Sequence, residues 1–385
     1  MAGKQKLKLN SPGAISLLEN SYVEYAFLAA VCLIILIVRI RLLSVPLDRD
    51  EGEYAYMGRL IIEGISPFIE AYNMKLPGTA FMYALNMLLF GQTTTGIHLG
   101  LLAANLLTIV VYYLFVKRLC GGSCAVLAAT VYALLSTGSG ILGFAAHATH
   151  FVNLFGIAGL YVTSIAVEKK KWGYFFIAGI ALGFAPLMKQ HGAVVPLAAL
   201  IMSFMLWSEP NAASRQRPSA WQVISLLAGC GVPLALLLTY FFLNNAWDKF
   251  IFWTIIYAKD YVGQIPPSLA YQSFMNNFVQ VSFKNLPLWI MAVPGVFAGF
   301  FVRPLRRTAA FIAIFVLLSF IGICPGFYFR NHYFVQFLPA LGLMLASVLY
   351  AIIFFVLKHS SSTALRAFDK IITCISPQAV KNKEA

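Results

Sequence analysis

Ten apolar stretches constrain this chain more than any other feature. Each approaches the ~20 residues that an α-helix needs to cross the hydrocarbon layer of a bilayer. They cover residues 22–43, 97–116, 121–138, 150–167, 172–188, 191–207, 221–243, 286–302, 308–324 and 333–357. Inside lipid every backbone N–H and C=O must find a partner within the protein, which leaves helices or closed barrels. The runs are unbroken rather than alternating, and that excludes a barrel. Composition agrees: 60% of the residues are hydrophobic and 11% charged, where a soluble domain carries about 25% charged residues. A soluble fold has too little interior to hide so much apolar surface, and a disordered chain is poor in such residues. The expected fold is an all-α polytopic membrane protein of about ten transmembrane helices.

Ten spans put both termini on one side, and basic residues say which. With the N-terminus inside, the inner segments carry Lys4, Lys6 and Lys8; Lys117 and Arg118; Lys169, Lys170 and Lys171; Arg215 and Arg217; Arg303, Arg306 and Arg307; and Lys358, Arg366, Lys370, Lys381 and Lys383. Every inner loop has at least two, as the positive-inside rule requires. The net charge of +14 therefore belongs to membrane topology, and no nucleic-acid partner is indicated. Residues 358–385 are expected to form a basic cytoplasmic tail after a transmembrane domain over 1–357. Lys4, Lys6 and Lys8 precede a first span that lacks the position and cleavage site of a signal peptide, so it is read as retained. The six cysteines are scattered and suggest no disulfide framework.

The acids are distributed the other way. Asp48, Asp50, Glu51, Glu53, Glu63, Glu70, Asp248 and Asp260 fall on the outer side, six of them within residues 48–70. His98, His147, His150, His191 and His332 sit at outer span ends. Ionisable chemistry is thus gathered at the outer membrane surface, chiefly in two loops, 44–96 and 244–285. The second loop is rich in aromatics (Phe250, Trp253, Tyr257, Tyr261), which suit a boundary with one wet edge and one lipid edge.

Within the first loop, Asp48, Asp50 and Glu51 open a helix, where negative charge suits the helix dipole. Tyr54, Met57, Ile61 and Ile65 follow at helical spacing, and Gly64 ends it. The pattern predicts an amphipathic helix on the membrane surface with acids at its start. Spacing alone leaves two readings open, a cap with solvated acids or a reactive cluster. After Tyr72-Asn73-Met74-Lys75-Leu76-Pro77-Gly78, residues 79–90 form an apolar run too short to span, which predicts a second surface helix with Pro77 near its first turn.

These residues resemble a known family. A first span is followed by Asp-Glu-Gly-x-Tyr-Ala-Tyr at residues 50–56, a Gly-x-x-Pro-Phe turn at 64–68, and Lys-x-Pro-Gly at 75–78. The order is similar to that of the GT-C membrane glycosyltransferases, in the group of protein O-mannosyltransferases, lipid A aminoarabinose transferases and bacterial core galacturonosyltransferases. Lys189-Gln190-His191-Gly192 after an Ala/Gly-rich span resembles the family's fifth-span ending. Tyr328-Phe329-Arg330-Asn331-His332-Tyr333 ahead of Leu338-Pro339 resembles its last-span opening. Leu76 stands where the family often has a second proline.

The resemblance implies a GT-C fold with amphipathic helices in the first outer loop, and transfer of a hexosyl or pentosyl unit from a polyprenyl-phosphate donor to a hydroxyl of a lipid, glycan or protein acceptor. Such chemistry needs a carboxylate at the attacking hydroxyl and cations on the phosphate that leaves, both at the surface where the lipid anchors the donor. By the motif, Asp50 is the main catalytic carboxylate and Glu51 supports it. Lys75 binds the donor phosphate, Arg330 and His332 assist from the last span, and Tyr333 hydrogen-bonds nearby. Lys189 is either a further phosphate ligand or a lysine snorkelling from a span end, and Arg39 and Arg41 are read as snorkelling. His147 and His150, three apart, are read as polar lining toward the substrate. They supply two donors for a divalent ion, the sequence shows no third, and no cofactor is indicated. His98 and His191 receive no role. The expected location is a bacterial inner (plasma) membrane, with the site facing the periplasm or exterior.

Two other readings compete. A secondary transporter would carry ionisable groups near the bilayer midplane within inverted repeats, and no matching half is visible. A non-catalytic envelope-assembly protein of the same fold would copurify with a second glycosyltransferase and be inert toward every lipid-linked sugar.

Overall fold

Satisfying backbone groups within each segment yields helices throughout. The computed structural model describes residues 21–207, 217–302 and 305–359. Its helices are α1 Ser21–Arg41, α2 Arg49–Ile62, α3 Gly78–Phe90, α4 Thr94–Cys120, α5 Gly122–Leu135, α6 Ala148–Lys169, α7 Trp172–Met188, α8 Val194–Met205 and α9 Ala220–Leu243. The second outer loop begins with α10 Trp247–Ile251 and α11 Ala258–Val262, joined by a π-helical turn over Phe252–Tyr257. Then come α12 Ala270–Ser282, α13 Leu286–Ala292, α14 Gly295–Phe301, α15 Arg306–Ile321 and α16 Phe334–His359. The expected tail beyond His359, the N-terminal lysines and Arg215 lie outside the described residues.

All ten apolar stretches contain helix, but their lengths differ from expectation. Six helical stretches are long and apolar enough to cross a bilayer by length and composition. Helices α5, α7 and α8 are shorter, and 286–302 is two short helices meeting at Pro294. At 1.5 Å rise per residue a 14-residue helix such as α5 extends only about 21 Å, so turns at its ends complete the crossing. The expected surface helices are present as α2 and α3, with Pro77 immediately before α3 and Gly64 at φ +82° just past α2.

Two apolar cores hold these elements. One joins α4 to α8 with α15 and α16 through residues such as Tyr112, Tyr132, Leu182, Phe311 and Phe334. The other lies beneath the first outer loop, where Tyr54, Met57, Phe68, Tyr83 and Met87 pack on Phe151, Phe241 and Phe250. The surface helices are therefore set into the bundle rather than resting on it.

Small residues set the closest approach, since lipid gives helices no apolar reason to associate and van der Waals contact must do so. A Cβ at Gly179 would sit 2.2 Å from the Leu226 carbonyl oxygen, and one at Gly183 2.4 Å from that of Cys230, so α7 and α9 meet backbone to backbone.

Arg39 does not snorkel. It is buried, with Nε donating to Asn105 Oδ1 at 2.8 Å and a terminal nitrogen to the carbonyls of Ser136 and Gly143, each at 3.2 Å. The outward turn 136–143 offers free carbonyls there, and three acceptors hold the guanidinium better than a longer reach to water. Arg41 is exposed, as expected.

Replacing Gly179 by valine is expected to separate α7 from α9 at a cost of about 1–3 kcal/mol. A lowered thermal midpoint of the detergent-solubilised protein checks this.

Candidate active site

Asp48 starts the site by starting α2. Its side chain caps the helix, and Glu51 closes the capping box by accepting from the Asp48 N–H at 2.9 Å. That fixes the first turn and leaves adjacent acids on different faces. Asp50 borders a cavity of about 1130 Å³. Glu51 turns inward, wholly buried, and its Oε1 accepts from the Ala146 N–H at 2.6 Å.

The Lys75 loop is stitched to the end of α7. Thr79 Oγ1 donates to the Met188 carbonyl at 2.8 Å, and Gln190 Nε2 donates to the Met74 carbonyl at 2.9 Å. A Cβ at position 78 would lie 2.4 Å from the Leu187 carbonyl oxygen, so Gly78 lets the loop press onto α7. This sets Lys75 beside Asp50. Its Nζ is 3.2 Å from Asp50 Oδ2 and 2.6 Å from the Tyr54 hydroxyl.

The last-span motif arrives from the opposite wall. Thr149 Oγ1 and Asn153 Nδ2 at the start of α6 donate to the carbonyls of His332 and Val335. Phe327 and Phe329 adopt left-handed φ of 53° and 44°, a strained backbone for bulky residues in the segment that presents Arg330. The rings of His147 and His332 stack 4.1 Å apart, and His332 Nε2 is 3.8 Å from Asp50 Oδ2. Lys189 Nζ is buried without a hydrogen-bond partner and sits 3.4 Å from the centre of the Tyr333 ring, a cation–π contact. Arg330 donates to the Tyr261 hydroxyl at 2.9 Å, tying the cavity to the second outer loop.

Asp50, Lys75, Lys189, Arg330, His332 and Tyr333 thus line one cavity. Glu51 lies behind its wall, and His147 reaches it through the stack on His332. His150 is buried and is not among the lining residues. His147 is the residue before α6 and stacks on His332, whereas His150 lies within the helix. Asp50, His147 and His332 each offer a ligand atom, all within 4.8 Å of one another. Both nitrogens of His147 lack a hydrogen-bond partner, and imidazoles with one carboxylate suit a divalent transition metal, which would polarise an oxygen bound there. The sequence reading omitted Tyr54, His98 and Tyr261. Tyr54 was legible as Asp50 plus four; His98 and Tyr261 were not, because their partners are remote in sequence.

The electrostatics follow from burial opposed by close pairing. Burial disfavours the Asp50 carboxylate, but Lys75, His147 and the hydrogen bond from Arg49 outweigh it and hold the carboxyl well below its ordinary range. Burial likewise disfavours the Lys75 ammonium, and Tyr54, Asp50 and Glu53 more than compensate, raising it above the usual lysine range. The Tyr54 hydroxyl is pushed up to about 12, first by burial. Burial brings His147 down to about 4 against the pull of Asp50, Asp48 and Glu51, so its imidazole is neutral at neutral pH.

Comparison with known proteins decides the fold. An aminoarabinose transferase structure, ArnT from Cupriavidus metallidurans bound to undecaprenyl phosphate, matches with a TM-score of 0.59 at 18% identity, covering 86% of this chain and 60% of that one. The fold is that of the GT-C membrane glycosyltransferases. The archaeal oligosaccharyltransferase AglB from Archaeoglobus fulgidus, solved with an inhibitory peptide and a dolichol-phosphate, matches this chain with a TM-score of 0.55 at 15% identity, over 92% of this chain and 55% of that one. Residues 74–236 match the family model of dolichyl-phosphate-mannose-protein mannosyltransferases. The lipopolysaccharide core galacturonosyltransferase RgtB of Rhizobium johnstonii is 29% identical over 181 residues, 46% of this chain and 34% of that protein. The chain therefore spans about a third of that curated relative and 55–60% of the two solved chains. These matches fall in the group that the first-loop motif resembles, and the chain is a multi-pass membrane protein with that fold.

A carboxyl lowered by the fold stabilises it above the unfolded value of about 4 and loses that contribution as pH falls through the folded value. The stability difference between the protein and its Asp50→Asn variant is therefore expected to be constant from pH 7 to about 4 and to shrink below that. Thermal melts across that range check this.

Proposed function

We propose that the protein transfers a sugar from a polyprenyl-phosphate donor to an acceptor hydroxyl at the outer face of the membrane. The observation that carries the reading is the cavity in which Asp50 faces the basic side chains Lys75, Lys189 and Arg330, within a lining that also holds Glu53, Glu70, Arg49 and Lys259. A carboxylate alone would serve many purposes. Joined to Lys189, whose amine has no hydrogen-bond acceptor and is pushed well below the usual lysine range by burial, it matches a substrate that brings a phosphate, since an anion bound there would favour the charged amine.

In this reading the lipid phosphate takes the place that Lys189 Nζ leaves unsatisfied, with Lys75 and Arg330 completing its contacts. The acceptor oxygen attacks the anomeric carbon, the bond from that carbon to the phosphate oxygen breaks, and the electron pair leaves with the polyprenyl phosphate. Cations held in place before the reaction stabilise that charge without reorganisation. Asp50 accepts the hydroxyl proton. While paired with Lys75 it is a weak base, since its carboxyl is held low. Once Lys75 engages the phosphate, the carboxylate loses its strongest partner and becomes the stronger base that proton transfer requires. The ion pair would thus couple donor binding to acceptor activation. Glu51 acts from behind, by holding the turn that presents Asp50.

The same reading puts both termini in the cytoplasm and the cavity toward the periplasm or exterior of an inner (plasma) membrane, with 1–357 as the transmembrane domain and a lipid, glycan or protein as acceptor. Sugars of hexosyl or pentosyl size fit its terms equally.

Asp50→Asn is expected to lower kcat by at least about 100-fold, as for loss of a proton-transfer group, and Lys75→Ala to impair both donor binding and turnover. Transfer from polyprenyl-phosphate sugars to envelope acceptors, at matched membrane levels, measures this; full activity in either variant would remove that residue from the reaction. Lys189→Met is expected to raise the Kd for undecaprenyl phosphate while leaving the fold intact, because methionine keeps the contact with Tyr333. Binding of the labelled lipid in nanodiscs reads it.

A further inference from the structure

The chemistry proposed above leaves His98 unused, yet its surroundings are unusually well defined. The ring lies at the outer end of α4, 4% exposed, against a Glu51 that is 0% exposed. Nδ1 is 3.1 Å from the Leu43 carbonyl oxygen, and Nε2 is 3.1 Å from Glu51 Oε1. A carbonyl only accepts. Glu51 already accepts the Ala146 N–H on Oε1 and the Asp48 N–H on Oε2, so it too is an acceptor toward His98. The ring therefore donates from both nitrogens.

Two separate stretches meet at this ring, the end of the first span at Leu43 and the start of α2, and the strap 143–147 joins them through the Ala146 N–H on Glu51. Asp50 is the neighbour of Glu51, and His147 is the neighbour of Ala146. Arg39 holds the same strap through the Gly143 carbonyl. We infer that His98 is a positioning residue that, through Glu51, fixes the start of α2 against the strap and so sets Asp50 in register with the His147–His332 stack. Its functional consequence rests on the proposed transfer reaction; the clamp itself does not. Without its donor, Glu51 becomes a buried carboxylate short of a partner, and the turn bearing Asp50 shifts. A displacement of about 1 Å at a reacting group costs on the order of 100-fold in rate.

The test uses the full chain in nanodiscs with His98→Gln, Glu51→Gln and the double variant. Glutamine has similar volume, so the fold survives, but its single amide nitrogen cannot bridge the Leu43 carbonyl and Glu51 as the two ring nitrogens do. Expected are a kcat lowered by about 10- to 100-fold in each single variant, KM for a lipid-linked sugar unchanged, and a double variant no worse than the poorer single one. In ¹⁵N-histidine spectra both His98 nitrogens carry protons, and the His147 resonances move in His98→Gln. Independent, multiplying losses in the double variant, an unchanged kcat in His98→Gln, or His147 resonances that stay in place would overturn the inference. If the unmodified protein transfers no lipid-linked sugar, the proposed function fails and the spectra alone decide the clamp: moving His147 signals support it, and fixed signals end it.

Discussion

A carboxylate and an ammonium, buried Asp50 and half-buried Lys75, are paired at the wall of the cavity, and the rest of the site is organised around keeping them there. Either charge alone would be expensive to remove from water. Paired at 3.2 Å, with Tyr54 sharing the ammonium, both stay ionised. The pair joins two loops that α2 and α3 would otherwise leave independent, so the surface helices can be sunk into the bundle over a common apolar core. Pairs of this kind are weak sources of stability, since desolvation consumes most of the attraction. What the pair supplies is register: a charge of each sign, fixed where a phosphate and a hydroxyl can meet.

Around it, side chains bond mostly to remote backbone. Thr79, Gln190, Thr149 and Asn153 reach carbonyls more than 100 residues away in sequence. Among the described residues there is no sheet or disulfide to fix the loops between helices, and such bonds take that place. They are worth about 1 kcal/mol each at a net level, but leaving a buried donor unpaired costs more, so the arrangement is all-or-nothing. His147 and Lys189 depart from this: both nitrogens of His147 lack a hydrogen-bond partner, and the Lys189 amine rests on an aromatic ring instead of an acceptor. A site prepared for an anion would leave this kind of gap.

Much of this was legible in the sequence. Apolar runs of span length announced the bundle, the acids crowded into residues 48–70 pointed to the segment that borders the cavity, and the spacing of Tyr54 and Met57 announced a helix with its apolar side packed inward. The motif order brought Asp50, Lys75, Arg330, His332 and Tyr333 to notice before any geometry. What failed did so for identifiable reasons. Two adjacent acids cannot be told apart by pattern, and only the capping box shows that Glu51 faces in while Asp50 faces the cavity. His147 and His150 stand three apart, and only the fold shows that His147 precedes the helix and stacks on His332. Arg39 and His98 bond carbonyls and a carboxylate that lie close only after folding, and nothing local signals such partners.

The most direct measurement is a cryo-EM structure of the protein in a nanodisc with undecaprenyl phosphate. The account expects the phosphate in the outer cavity among Lys75, Lys189 and Arg330, with Asp50 facing open space on the side from which an acceptor would approach. A lipid phosphate seated elsewhere, with Lys75 still locked on Asp50 and Lys189 still resting on Tyr333, would contradict it.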